Sequence, residues 1–321
     1  MTTNHEFLAL IELLIEADDL YYNSSGNTYM TDAEYDRLKK KAFSIDPSHD
    51  YFAKVGSDVR GGKIKLPYTM GSLDQVYENE FLPWCQKYNL MGKSVIITEK
   101  LDGISCMLVY RNGELEIAYS RGNGVEGADI TRHVRKLKNL PFVLKGEDYM
   151  TIRGELIMKN DTFNDNGWDT EYKNPRAAVA GTMNRSDSNN DILGDIDFVS
   201  YEIVATNGTM NNTKLEQLNK LEKLGFDTVA RFEVKAVDST VNDEFLTEML
   251  SVFREQGGYE LDGIVITANN IEQAQGKRNA ISLNPEHSCK YKIEETGATT
   301  LVEALLVVSL IPNILLARLL T

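Results

Sequence analysis

Four short stretches hold most of the side chains that could do chemistry. They are Lys100-Leu101-Asp102-Gly103, Arg153-Gly154-Glu155, Glu260-Leu261-Asp262-Gly263 and Lys290-Tyr291-Lys292. A lysine amine is a nucleophile only when it is held uncharged, which partial burial and neighbouring cations favour. Lys290, Lys292 and Arg121 are the candidate cations for Lys100. A solvated lysine beside a turn is the simpler reading of Lys100. Glu155 and Arg153 are two apart on one strand and so share a face, which is also the pattern of a plain surface ion pair. Glu260 and Asp262 likewise share a face, where an ordinary Asp-Gly turn is the alternative. Two phosphate-binding patterns fail. Gly122-Asn123-Gly124-Val125-Glu126-Gly127 matches the dinucleotide-binding glycine spacing, but the strand before it is the second arm of a hairpin rather than part of a parallel βαβ unit. This weighs against a Rossmann-type dehydrogenase. Gly92-Lys93-Ser94 lacks the earlier glycine of a P-loop, because position 87 is Lys87.

The elements that must position these groups fall into two parts. Residues 1 to about 60 read as helical. Phe7, Leu10, Ile11 and Leu14 recur at helical spacing behind Asn4, the candidate N-cap. Thr31 and Glu34 form a capping-box pattern, so a second helix starts near Asp32. A Gly- and Lys-rich linker, 56–67, follows. From Val95 onward come short β-rich runs at 94–100, 104–110, 114–120, 150–158, 197–204, 228–234 and 261–268. Asn112-Gly113 between two of them is a type I′ hairpin signal. Helices are expected only at about 130–138, 214–224 and 243–256. Antiparallel strands with helices interspersed make an α+β domain. The expected division is 1–66, 67–293 and an apolar tail, 294–321.

The chain has 321 residues, 42% hydrophobic and 26% charged, with 34 Lys+Arg against 48 Asp+Glu for a net charge of −14. That composition excludes collagen-like and disordered classes and a surface that is basic all over, though not a local basic patch. Arg132, Arg135, Lys136 and Lys138 are the densest basic stretch, either a phosphate-contacting helix face or a solvated one. Cys85, Cys106 and Cys289 are widely spaced without a CxxC pair, and His5, His49, His133 and His287 are scattered. Neither a zinc ribbon nor a disulfide framework is expected, and a reducing cytoplasm fits. No metal ligand set is assigned. No membrane span is expected, since the longest uncharged run, 304–317, contains Pro312 and falls short of the ~20 residues a span needs.

Taken in order along the chain, the four stretches and Asn174-Pro175-Arg176 resemble the covalent nucleotidyltransferases, most closely the NAD-dependent DNA ligases of bacteria and some phages. Tyr22 with Asp32-Ala33-Glu34-Tyr35-Asp36, then Met70-Gly71-Ser72-Leu73, are the stretches similar to the NAD-dependent branch. The resemblance covers residues 15–293. It implies a nucleotidyltransferase fold with an N-terminal helical subdomain that binds nicotinamide mononucleotide (NMN). It implies that Lys100 attacks NAD to give a lysyl-AMP, with Asp102 and Lys292 as further catalytic groups and a magnesium ion at the phosphate. Glu155 would receive the ribose hydroxyls. Ser72, Leu73, Glu99, Arg121, Arg176, Asp262 and Lys290 would complete the cofactor site. Tyr22, Asp32, Tyr35 and Asp36 would hold the cationic nicotinamide ring, a role that charge and cation–π attraction suit, although acids at a helix start also serve its dipole.

The chain departs from the family at Thr98 and Thr267, where a glutamate and a lysine are usual, and at Asn23 and Asn184. Lys290, two before Lys292, could compensate for Thr267. Complete members continue into an OB-fold and other DNA-binding domains. The expected substrate is nicked double-stranded DNA in a bacterial or phage-infected cytoplasm. The chain would be one subunit of a split ligase whose second subunit supplies an OB domain, or a truncated product, and in either case sealing is expected only with a partner. The alternative is a catalytically impaired NAD- or DNA-binding subunit of a split ligase.

Overall fold

The computed structural model describes residues 4–23, 30–47, 49–53, 62–185, 191–207, 212–270, 284–285 and 287–293. Helices α1 (Asn4–Asn23), α2 (Asp32–Ile45) and α3 (Asp50–Ala53) form the N-terminal part. Phe7, Leu10, Ile11 and Leu14 of α1 bury against Leu38 and Ala42 of α2 and against Tyr51, a core separate from the rest. The capping box is present. Thr31 Oγ1 accepts from Glu34 N at 3.2 Å, and Glu34 Oε2 accepts from Thr31 N at 2.8 Å.

The larger part runs β1 (Ile64–Lys65), β2 (Asp74–Val76), α4 (Phe81–Lys87), β3 (Val95–Leu101), β4 (Ile104–Arg111), β5 (Glu114–Ser120), β6 (Glu126–Gly127), α5 (Thr131–Val134), β7 (Tyr149–Ile157), α6 (Asn160–Asp165), α7 (Pro175–Met183), β8 (Asp197–Thr206), α8 (Lys214–Lys223), β9 (Asp227–Thr228), β10 (Arg231–Val234), α9 (Asp243–Gly257), β11 (Leu261–Ala268) and β12 (Ser288–Tyr291). Two five-stranded sheets result, ordered β10-β3-β11-β12-β2 and β5-β4-β7-β8-β9, with β1 and β6 paired apart. Pairing is antiparallel except for β2 with β12 and β8 with β9. This is the expected α+β class. Because Ile64–Lys65 already pair with Glu126–Gly127, the chain has joined the second part before position 66.

The chain crosses between the sheets at two places that matter for the site. Lys100 is the last residue but one of β3 in the first sheet, and Asp102-Gly103 carries the chain into β4 of the second. The run 228–234, expected as one strand, is the other crossing. Val229 N bonds Ser200 O on the second sheet, and Ala230 N bonds the Glu99 carboxylate on the first. The expected helix at 130–138 is only one turn long. Past Arg135 the chain makes three-residue turns that bury Leu137 and Leu140 in the core. Its basic residues Arg132, Arg135, Lys136 and Lys138 are all exposed, though Arg135 also donates to Leu115 O. Both central residues of the Asn112-Gly113 turn have positive φ, 51° and 75°, as type I′ requires. The expected apolar tail, 294–321, lies outside the described residues. Among the described residues no helix is long and apolar enough to cross a membrane.

Gly154 is paired on both sides, with Cys106 on β4 and Ser200 on β8. A Cβ there would lie 2.6 Å from both Phe198 Cε2 and Val199 O, distances no real Cβ tolerates. Gly154→Ala should therefore cost about 3 kcal/mol of stability through overpacking. Gly62→Ala, where a Cβ meets nothing within 4 Å, should be neutral. Urea melts of the two variants check this.

Candidate active site

A cavity of about 1160 Å³ opens between the helical part and the two sheets. Its floor is one face of the first sheet. Strand registers align Thr98 with Val265 and Val265 with Lys290, which in turn pairs with Gln75 of β2. Lys100 and Lys292 continue that face toward the sheet's edge. Asp262 reaches it through an irregularity in β11. The β3 register shifts between Leu261 and Ile264, and such bulges re-aim side chains. Gly263 makes the bulge feasible, having φ +124°, where any Cβ would collide with Tyr291 O.

Asp262 is the electrostatic centre. One carboxylate oxygen pairs with Lys100 Nζ, and the other lies 2.7 Å from Lys292 Nζ. Lys292 also reaches Asp36 Oδ2 on α2 at 3.0 Å, and Gln75 Nε2 donates to the same oxygen at 3.1 Å. Burial opposes the Asp262 charge, yet Lys100, Lys292 and Lys290 together hold its carboxyl well below the usual range. Burial also works against the Lys292 ammonium, but Asp262 and Asp36 more than offset it and keep it above the ordinary lysine value. Lys290 goes the other way. Burial, with Lys100 and Lys292 nearby, pushes it down to about 7.

The second sheet supplies the opposite wall. Glu155 of β7 pairs in register with Ser105 of β4, and Arg121 N follows on Ser105 O at 3.2 Å. Burial pushes Glu155 up to about 7, although Arg176, Lys100 and Arg121 pull it down. Arg176 is set by the start of α7. Asn174 Oδ1 caps Ala177 N at 2.8 Å and Pro175 occupies the first helical position, so Arg176 projects to Asp102 Oδ1 at 2.8 Å and to Gly103 O. Asp102 thus braces the turn after Lys100 rather than facing it alone. Ser72 and Leu73 line the cavity just before β2.

Three expectations need correction or stand apart. Glu99 does not share Lys100's face, because adjacent strand residues point to opposite sides. Its Oε1 accepts from Ala230 N at 3.0 Å and its Oε2 is buried without a hydrogen-bond partner, so it pins the sheet crossing while still lining the cavity. Arg153 pairs with Glu202 at 3.1 Å across β8, not with Glu155. The side chains of Tyr22 and Asp32 lie outside the described residues. Tyr35 and Asp36 do face the cavity, and Tyr35 OH donates to Asp18 at 2.7 Å. The sequence reading missed Asp18, Lys39, Tyr51 and Gln75. Only Lys39 carried a signal, its four-residue spacing from Tyr35 on a helix.

The arrangement suits phosphoryl transfer to an amine. It has a lysine at a sheet crossing, cations where charge would gather on phosphoryl oxygens, and a carboxylate on the facing wall. The NAD-dependent DNA ligase adenylation domain family matches residues 62–296. A DNA ligase of Acanthamoeba polyphaga mimivirus is 33% identical over 299 residues, 91% of this chain and 44% of the relative. A DNA ligase of Wolbachia pipientis wMel is 29% identical over 94% of this chain and 46% of its own length. One of Clostridioides difficile (strain 630) is 28% identical over 91% and 46%. The chain spans less than half the length of these relatives.

The raised Glu155 value has a thermodynamic consequence. Between about 4.5 and about 7 the folded chain keeps a proton on Glu155 that the unfolded chain has lost, so this group lowers stability as pH rises through that window. Glu155→Gln removes the effect. Its melting temperature relative to wild type should climb from pH 5 to pH 7 and level off above, as calorimetric scans across pH would show.

Proposed function

Because this chain belongs to the family of NAD-dependent DNA ligase adenylation domains, we propose that Lys100 takes AMP from NAD. The Lys100 ammonium, paired with Asp262, first gives up one proton to solvent. The free amine then forms an N–P bond to the α-phosphorus while the P–O bond to the leaving NMN breaks. That electron pair departs with the NMN phosphate, and the surplus proton of Lys100 passes to solvent. Lys292, Lys290 and Arg121 face the oxygens on which negative charge gathers. Glu155 holds the ribose hydroxyls from the opposite wall, and Arg176 with Asp102 keeps the turn after Lys100 in place. The observation that carries this reading is Lys100 joined to Asp262 on a face shared with Lys290 and Lys292.

Among the described residues no three His, Cys, Asp or Glu side chains cluster as a cage. A magnesium ion would instead be held by a carboxylate such as Asp262 or Glu155 together with the substrate's phosphate oxygens and water, and would add to the positive charge that Lys292, Lys290 and Arg121 supply.

The AMP is then passed to the 5′-phosphate of a nick in double-stranded DNA. Sealing is assigned to the chain together with a second ligase subunit that supplies an OB domain. Division into a helical NMN-binding part, an adenylation part and the tail follows the same reading.

Intact-mass spectrometry after incubation with NAD tests the first step. Wild type should gain one AMP and Lys100→Ala none, and Lys292→Met should load at least a hundredfold more slowly. An unchanged mass with NAD, alongside loading from ATP, overturns the cofactor assignment. Reversible NAD binding without an adduct would instead favour the impaired-subunit reading that Thr98 and Thr267 raise.

A further inference from the structure

The ring subsite already contains a cation belonging to the chain. Lys39, one turn after Tyr35 on α2, donates from Nζ to Tyr35 OH at 2.9 Å. The same ammonium lies 5.1 Å from the Tyr35 ring centroid and 5.5 Å from that of Tyr51. Asp18 of α1 fixes this aromatic pair, accepting from Tyr35 OH at 2.7 Å and from Tyr51 OH at 2.8 Å. All four side chains line the cavity. Held to the Tyr35 hydroxyl, the ammonium lies within about 6 Å of the Tyr51 ring, where it gains the same attraction that a cationic pyridinium ring would seek.

The cations of the site are not held equally. Lys100 and Lys292 pair directly with carboxylates. Among the described residues the Lys39 ammonium meets a phenol oxygen and ring faces but no carboxylate, and Asp18 reaches it only through the tyrosine hydroxyl. A competitor removes the Lys39 ammonium at less cost than that of Lys100 or Lys292. Its removal leaves Asp18 satisfied by both phenols, so the platform survives without it.

We propose that Lys39 occupies the ring subsite of the leaving group and is displaced by the cationic ring, so that its ammonium sets how tightly that subsite binds. This rests on the reading of Tyr35 as a ring platform, and it concerns binding rather than the chemical step.

The test is calorimetric titration of the full chain with NMN alone, with AMP as the control ligand. Lys39→Met and Lys39→Gln should bind NMN about fivefold tighter than wild type, the equivalent of ~1 kcal/mol of released cation–π attraction. Lys39→Arg, which keeps the charge, should match wild type. AMP affinity should stay within twofold in all variants. Equal or weaker NMN binding by the neutral variants overturns the proposal, weaker binding making the ammonium a ligand of the mononucleotide phosphate instead. A parallel change in AMP affinity, or NMN binding by none of the proteins, also overturns it. Tighter NMN binding in chains that never acquire AMP from NAD would uphold this inference while the covalent reading falls.

Discussion

The ion cluster around Asp262 is the constraint on which the rest of the site depends. Lys100 and Lys292, from the two strands that flank β11, pair with one carboxylate, Lys290 stands nearby, and Asp36 from the helical part supplies a second. Like charges this close repel unless countercharges are fixed among them. Asp262 meets that need only because β11 bulges at Gly263. Asp36 meets it only because α2 lies against the sheet edge. The cluster therefore links the two parts of the chain through the same group that would handle the phosphate. The balance is uneven across the face, raising Lys292 and lowering Lys290 to about 7. Lys290 and Lys292, two positions apart, are thus shifted in opposite directions by burial and by their neighbouring charges.

The two sheet crossings explain why the cavity walls carry different chemistry. At Asp102-Gly103 the chain leaves the cationic floor and enters the wall that bears Glu155. At Val229-Ala230 it returns, clamped by Glu99. The buried, half-satisfied carboxylate of Glu99 is tolerated because burial raises its pKa toward the neutral form. Glu155 is raised by the same cause on the facing wall. Strained or desolvated charge is commonly concentrated at functional sites, where it lowers stability.

Most strands were legible because period-two apolar runs bounded by turn residues persist locally. So were the capping box of α2 and the hairpin at Asn112-Gly113, which rest on contacts within a few residues. Helix α7 went unread although Asn174-Pro175 is a strong start signal, because its short span and small residues give little periodicity. Strand β12 is shorter still, four residues, and its polar face looks like a basic surface run until the sheet buries it. The run 228–234 read as one strand because pattern reports β character, not which sheet each half joins.

From the sequence came the candidate set Lys100, Glu155, Asp262, Lys290 and Lys292, through motifs that resemble a ligase family, and the α+β class, which rests on short-range spacing. Which groups meet was decided by tertiary structure. It turned Glu99 away from Lys100, paired Arg153 with Glu202, and brought Asp36 to Lys292 and Lys39 onto the tyrosines. Those outcomes follow from strand register, a bulge and helix docking, which join positions far apart in the chain and leave no local pattern to read.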